Sequence, residues 1–183
     1  MLNEIKHVQD TAELLHSAQE VEAALDDMAG QINTKLADTN PIVLCVMNGG
    51  VVIAGKLLPR LDIPLNVDAI NASRYQNQTS GGAIEWVLKP QLPLKGRTVL
   101  IIDDILDEGI TLLAIRQYCL DEGADAVYSA VLIDKQLGRE KPIKADFVGL
   151  EAANRYLFGY GMDYKGYLRN AAGIYACQID NQE

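Results

Sequence analysis

The sequence has almost no histidine. His7 and His16 are its only two, both near the amino terminus. A histidine-based triad or a multi-histidine zinc site is therefore not expected. Cysteine is scarce as well. Cys45, Cys119 and Cys177 are scattered, odd in number and never spaced as CxxC, which argues against a disulfide framework and fits a reduced, cytoplasmic setting. No apolar run approaches the length of a membrane span. Residues 1–10 lack a basic patch followed by an apolar run, so no secretory signal is expected. Basic residues are outnumbered, 16 Lys and Arg against 25 Asp and Glu, for a net charge of −9. Broad binding to nucleic acid is not expected of such a chain, because that affinity is largely cationic.

The chain has 183 residues, the size of one domain and enough to bury a core without disulfides or structural metal. Residues 10–38 carry Leu14, Ala18, Val21, Leu25, Met28, Ile32 and Leu36 at three- and four-residue spacing, the signature of an amphipathic helix. Asp10 with Glu13 reads as its capping box, and Gly30 as a point where it can split. Apolar runs predict strands over 41–46, 65–73, 83–88, from 98, and over 126–133, 146–150 and 173–179. Helical patterns occupy 51–61 and 110–122, the second closed by Gly123. The stretch 76–82 is a polar loop, and 156–169 is aromatic-rich and irregular. Strands alternating with helices predict an α/β fold, a central mostly parallel sheet flanked by helices. We expect a single domain over 1–183. Its core spans about 38–150, with a small hood lobe from the N-terminal segment and 151–183.

The most informative stretch is Val99-Leu100-Ile101-Ile102-Asp103-Asp104-Ile105-Leu106-Asp107-Glu108-Gly109-Ile110-Thr111. Four apolar residues read as a buried parallel strand. Two carboxylates follow where the strand should emerge, then a turn with Gly109 and Thr111, then a helix. A strand feeding such a turn presents backbone N–H groups to an anion. The neighbouring acids suit sugar hydroxyls or a divalent cation. A second turn, Met47-Asn48-Gly49-Gly50, follows the 41–46 strand. Taken alone it is an ordinary strand-to-helix turn. Gly50 to Lys56 also fits the first seven positions of a P-loop, but Leu57 replaces the Ser or Thr that would ligate magnesium. We read that match as an accident.

The run 99–111 resembles the phosphoribosyl-pyrophosphate motif of the type I phosphoribosyltransferases. More narrowly, residues from about 41 to 179 resemble the hypoxanthine-guanine phosphoribosyltransferases. The resemblance implies that Asp103 and Asp104 lie against ribose hydroxyls, directly or through Mg2+. It implies that Asp107, Glu108, Gly109, Ile110 and Thr111 wrap the 5′-phosphate, and that Asp107 is the acid/base partner of purine N7. Asn48 and Gly49, with Arg169, would meet pyrophosphate. Lys135 would donate to the 6-oxo group, Tyr156 would stack on the base and Leu157 would pair with its edge through the backbone. Asp163 would contribute its carbonyl and ligate Mg2+. Ser73, Arg74 and Tyr75 match a flap that closes over the reacting centre. The chain departs from the commonest pattern at Glu108, which replaces a small hydroxylated residue, and at Ile110, where some members carry lysine. Asn48 likewise offers no charge where some members have lysine.

The expected activity is transfer of phosphoribose from phosphoribosyl pyrophosphate to hypoxanthine or guanine, giving IMP or GMP, in a homodimer or homotetramer. A phosphoribosyl-pyrophosphate-sensing regulator of the same fold is the alternative, and it should show a basic face or a helix-turn-helix extension. A sugar-phosphate or nucleotide hydrolase is a third reading, resting only on the acids and glycine loops. One side chain gives an immediate prediction. A glutamate aimed at a dianionic phosphate would repel it, so Glu108 is expected to face solvent and use only its N–H. Steady-state kinetics of Glu108→Ser should then leave the KM for the phosphoribosyl donor within about tenfold of the parent. A larger fall in KM contradicts it.

Overall fold

The centre of the molecule is the apolar run before the two aspartates. The computed structural model describes residues 1–74 and 84–178. Val99, Leu100, Ile101 and Ile102 are fully buried in strand β5 (Thr98–Leu106). That strand lies inside a six-stranded sheet ordered β4 (Ile84–Leu88), β3 (Asn66–Arg74), β2 (Ile42–Val46), β5, β6 (Ala126–Gln136) and β7 (Phe147–Ala153). Every pair is parallel except β3 with β4.

Both faces of this sheet are covered, which explains the unbroken apolar runs. Side chains alternate along β2. Val43 and Cys45 pack with α2 (Ala18–Leu36) and α3 (Gly50–Leu57) on one face, while Ile42, Leu44 and Val46 pack with α4 (Ile110–Asp121) on the other. From the middle of the sheet the chain winds outward in both directions: β2 continues through α3 to β3, and β5 through α4 to β6. The loops after β2 and β5 therefore diverge at a topological switch point, the place where open α/β sheets form a ligand crevice.

Residues 10–38 depart from the single helix expected. They belong to α1 (Leu2–Thr11), β1 (Glu13–Ser17) and α2. The capping box is not Asp10 with Glu13 but Ser17 with Glu20: Glu20 N donates to Ser17 Oγ at 3.3 Å, and Ser17 N to Glu20 Oε2 at 2.8 Å. Strand β1 exists because it pairs antiparallel with β9 (Gly173–Ala176), a partner that local periodicity cannot reveal. With β8 (Leu157–Phe158) these strands form a second, three-stranded sheet drawn from both ends of the chain. α2 runs unbroken through Gly30.

Strand ends also differ from expectation. β5 continues through both aspartates to Leu106, and β6 runs on to Gln136, so Asp103, Asp104 and Lys135 stand within strands rather than past them. Residues 129–133 of β6 are buried in succession, as in a strand covered on both faces. The P-loop-like segment is helix α3, and Lys56 donates to Glu22 Oε1 at 2.7 Å. Among the described residues, no helix is long and apolar enough to cross a membrane.

Glu22 joins the helices. It accepts from Lys56 and from Arg60, the latter at 2.6 Å, and from the Tyr160 hydroxyl at 2.9 Å. The Lys56 ammonium, followed by the Tyr160 and Arg60 donors, holds its carboxyl down at about 2 against the cost of burial. A depressed carboxylate pKa adds stability above the unfolded-state value that is lost as pH falls through the folded-state value. Denaturant melts of Glu22→Gln should therefore show a shallower loss of stability than the parent between about pH 5 and about pH 2, and identical acid limbs would contradict this.

Candidate active site

A cavity of about 490 Å³ opens where the loops after β2 and β5 part. The β5 side supplies Asp103, Asp104, Asp107, Glu108, Gly109 and Thr111, and the β2 side supplies Asn48 and Gly49. Lys135 enters from β6, and Tyr156, Leu157, Asp163 and Arg169 close the far wall. Residues predicted from four separate stretches of sequence thus meet around one space.

Backbone geometry at two glycines makes the meeting possible. Gly109 is the N-cap of α4 in the left-handed region, φ +82°, which glycine adopts without the steric cost other residues incur. The chain thereby turns from β5 into α4 and aims the helix start, with its unpaired N–H groups, at the cavity. Gly49 lies against Asp104: a Cβ there would collide with the Asp104 carboxylate. The peptide between Met47 and Asn48, just ahead of it, is cis.

Asp104 is buried and Asp103 nearly so. Asp103 Oδ1 accepts from Asp104 N at 2.9 Å. Burial, reinforced by the neighbouring Asp104 charge, pushes the Asp103 carboxyl well above the ordinary range, and burial raises Asp104 as well. Two adjacent carboxylates held out of water resist a double negative charge, and hydroxyl donors or a hard cation relieve that cost. Mg2+ is commonly held by one or two carboxylates together with ligand phosphates and water, so this pair has the right donors. Among the described residues no three His, Cys, Asp or Glu side chains converge as a ready-made metal cage.

Asp163, expected to ligate the cation, has both oxygens engaged by protein. Arg169 Nη2 reaches Oδ1 at 2.6 Å, and Gly166 N donates to Oδ2 at 2.7 Å. Arg169 also donates to the Gly161 carbonyl at 2.6 Å and faces Asp104 Oδ2 at 4.0 Å. The guanidinium therefore joins the far wall to the central strand from within the cavity lining.

Lys135 Nζ donates to Asp107 Oδ2 at 3.2 Å, with the lysine largely buried and the aspartate half exposed. Tyr156 is 48% exposed, and Tyr164 packs edge-on against it with centroids 5.4 Å apart. Glu108 lines the cavity, and its carboxylate lies 3.2 Å from Arg139 Nη2. Ile110 heads α4 with its side chain exposed and does not line the cavity. Ser73 and Arg74 end β3, and Tyr75, expected on the flap, lies outside the described residues. Met162 and Ala72 also line the space. No sequence signal marked them, since each reads as ordinary apolar packing.

A mostly parallel sheet with a glycine turn, an acid pair and a lysine around one crevice is the arrangement on which the comparisons bear. The phosphoribosyl transferase domain family matches residues 11–165, and the chain belongs to that family. It is 32% identical over 167 residues to a hypoxanthine-guanine phosphoribosyltransferase of Bacillus subtilis, covering 91% of this chain and 92% of the relative. A hypoxanthine-guanine phosphoribosyltransferase structure from Bacillus anthracis, with a HEPES molecule in its active site, superposes with a TM-score of 0.85 at 26% identity, covering 91% of this chain and 98% of that one. A Staphylococcus aureus hypoxanthine phosphoribosyltransferase shares the fold, with a TM-score of 0.86 at 22% identity over 93% of this chain and 94% of that one.

The packing at Gly49 can be tested against a glycine in open space. Gly49→Ala forces the Asp104 carboxylate to move and should destabilise the protein by about 1–3 kcal/mol. A Cβ at Gly55, inside α3, meets nothing within 4 Å, so Gly55→Ala should stabilise by up to about 1 kcal/mol. Urea titration of both variants checks the contrast. Equal effects would contradict the close approach.

Proposed function

We propose that the chain transfers the phosphoribosyl group from phosphoribosyl pyrophosphate to N9 of hypoxanthine or guanine, releasing pyrophosphate and forming IMP or GMP. The observation that carries the reading is the bond between Lys135 and Asp107 at 3.2 Å, one residue on β6 and the other in the turn before α4. A cation and a carboxylate side by side above a phosphate-type turn suit the adjacent O6 and N7 on one edge of a 6-oxopurine: Lys135 donates to O6, and Asp107 accepts or returns the N7 proton. Adenine, whose 6-amino group brings its own donors, offers the Lys135 ammonium no acceptor in place of O6, and sites of this kind discriminate strongly.

The remaining residues take complementary parts. Backbone amides of 107–111 and the Thr111 hydroxyl hold the 5′-phosphate. Asp103 and Asp104 accept from the ribose hydroxyls. The Tyr156 ring stacks on the base, and the Leu157 backbone and Asp163 carbonyl read its edge. Asn48 and Gly49 offer backbone amides to pyrophosphate, and Arg169 turns to it by exchanging one of its protein partners for phosphate oxygen. Asp103, Asp104 and Asp163 would hold Mg2+, which would supply charge neutralisation for the leaving pyrophosphate. Catalysis then rests on orientation and on proton management rather than on a covalent intermediate. The bonded chemistry is a pentosyl transfer: the bond from C1′ to the pyrophosphate oxygen breaks and the bond from C1′ to N9 forms. The chain acts in the cytoplasm as a homodimer or homotetramer, on small molecules rather than nucleic acid. The Ser73, Arg74 and Tyr75 stretch serves as the flap that excludes water.

A panel of purine bases assayed for nucleotide formation with the phosphoribosyl donor and Mg2+ tests the reading. Hypoxanthine or guanine should be converted, and Asp107→Asn should lower kcat roughly a hundred- to ten-thousand-fold. Activity with adenine alone, or phosphate release without a base, contradicts it.

A further inference from the structure

Lys141 stands outside the cavity lining, yet its side chain is only 11% exposed. A lysine is rarely so covered unless its charge is paired. Here its ammonium donates to the Leu106 carbonyl at 2.6 Å and to Asp134 Oδ1 at 2.5 Å. Those two acceptors belong to partners in register: Leu106 on β5 faces Asp134 on β6 in the last rung that joins the strands. The residue that follows each of them is a site residue, Asp107 in the turn after β5 and Lys135 on β6. One buried cation therefore bridges the final rung before both side chains enter the cavity.

The same connection between β6 and β7 supports the turn from behind. A Cβ at Gly109 would lie 3.1 Å from Ile143 Cγ2 and 3.4 Å from Pro142 Cδ, and Arg139 meets Glu108 at 3.2 Å. Lys141 is the one member of this brace that ties two backbone strands together through charge. We infer that Lys141 is a positioning residue that fixes Asp107 and Lys135 relative to one another, and so sets the alignment of the purine with the phosphoribosyl group. This inference rests on the proposed transfer reaction for its kinetic consequence, and on geometry alone for its structural one.

The test pairs Lys141→Met with the double variant Asp134→Leu/Lys141→Met. Both are assayed with hypoxanthine and the phosphoribosyl donor, melted thermally, and the single variant is crystallised. Misplacing reacting groups by about an ångström can cost on the order of a hundredfold. Lys141→Met is expected to lower kcat by about that factor while both KM values stay within about threefold, and to separate Asp107 from Lys135 beyond hydrogen-bond reach in the crystal. The double variant removes the unpaired carboxylate and should recover the melting temperature but not kcat, because the Leu106 carbonyl remains untied. The inference is overturned if folded Lys141→Met turns over like the parent, or if the double variant recovers kcat together with stability. Should the parent itself form no nucleotide, the transfer reading fails, and the crystal of Lys141→Met decides this inference alone: an unchanged Asp107–Lys135 contact overturns it.

Discussion

Two neighbouring carboxylates held out of water at the end of the central strand are the constraint around which the rest is arranged. Burial raises the cost of charging either. The surrounding backbone nonetheless comes in close: Gly49 touches Asp104, and a Cβ at Gly161 would meet both the Gly49 carbonyl and Asp104. Two segments distant in sequence therefore converge on one side chain of the central strand. Arg169 faces the same carboxylate while holding Asp163 and the Gly161 carbonyl. The far wall of the cavity is thus fastened to the strand that carries the acids.

The sheet makes this convergence possible. Because β2 and β5 are neighbours whose helices leave to opposite faces, the turns that follow them separate and open a crevice. α4 begins there and contributes amide dipoles that favour an anion. Lys135 and the acids are strand residues, so the charged groups are set by ladder hydrogen bonds rather than by mobile loops. The turn before α4 is braced by the β6–β7 connection through Pro142, Ile143 and Lys141.

What could be read from the sequence follows the range of the forces involved. The strand, turn and helix over 99–111 were legible because each step is local: an apolar run, a glycine able to take positive φ, a helical pattern. The turn at 47–50 was visible for the same reason. β1 was hidden, because residues 13–17 carry helical spacing and become a strand only by pairing with β9 about 160 positions away. The true capping box, Ser17 with Glu20, lies seven residues beyond the pair that mimicked it. The ends of β5 and β6 were placed too early, because charged residues usually mark a strand's exit, whereas here the ladder continues past them. Lys141 left no trace at all. A lysine in a polar connection reads as solvated surface, and only the folded register brings Leu106 and Asp134 within its reach.

The central claim is that amides of 107–111 grip a phosphate monoester while Asp103 and Asp104 position its pentose. A crystal structure of the protein with IMP or GMP tests it most directly. The account predicts the phosphate within hydrogen-bond distance of those amides and of Thr111, with the ribose hydroxyls against the two aspartates. A nucleotide bound elsewhere, or bound here with its phosphate turned toward Tyr156, would contradict it.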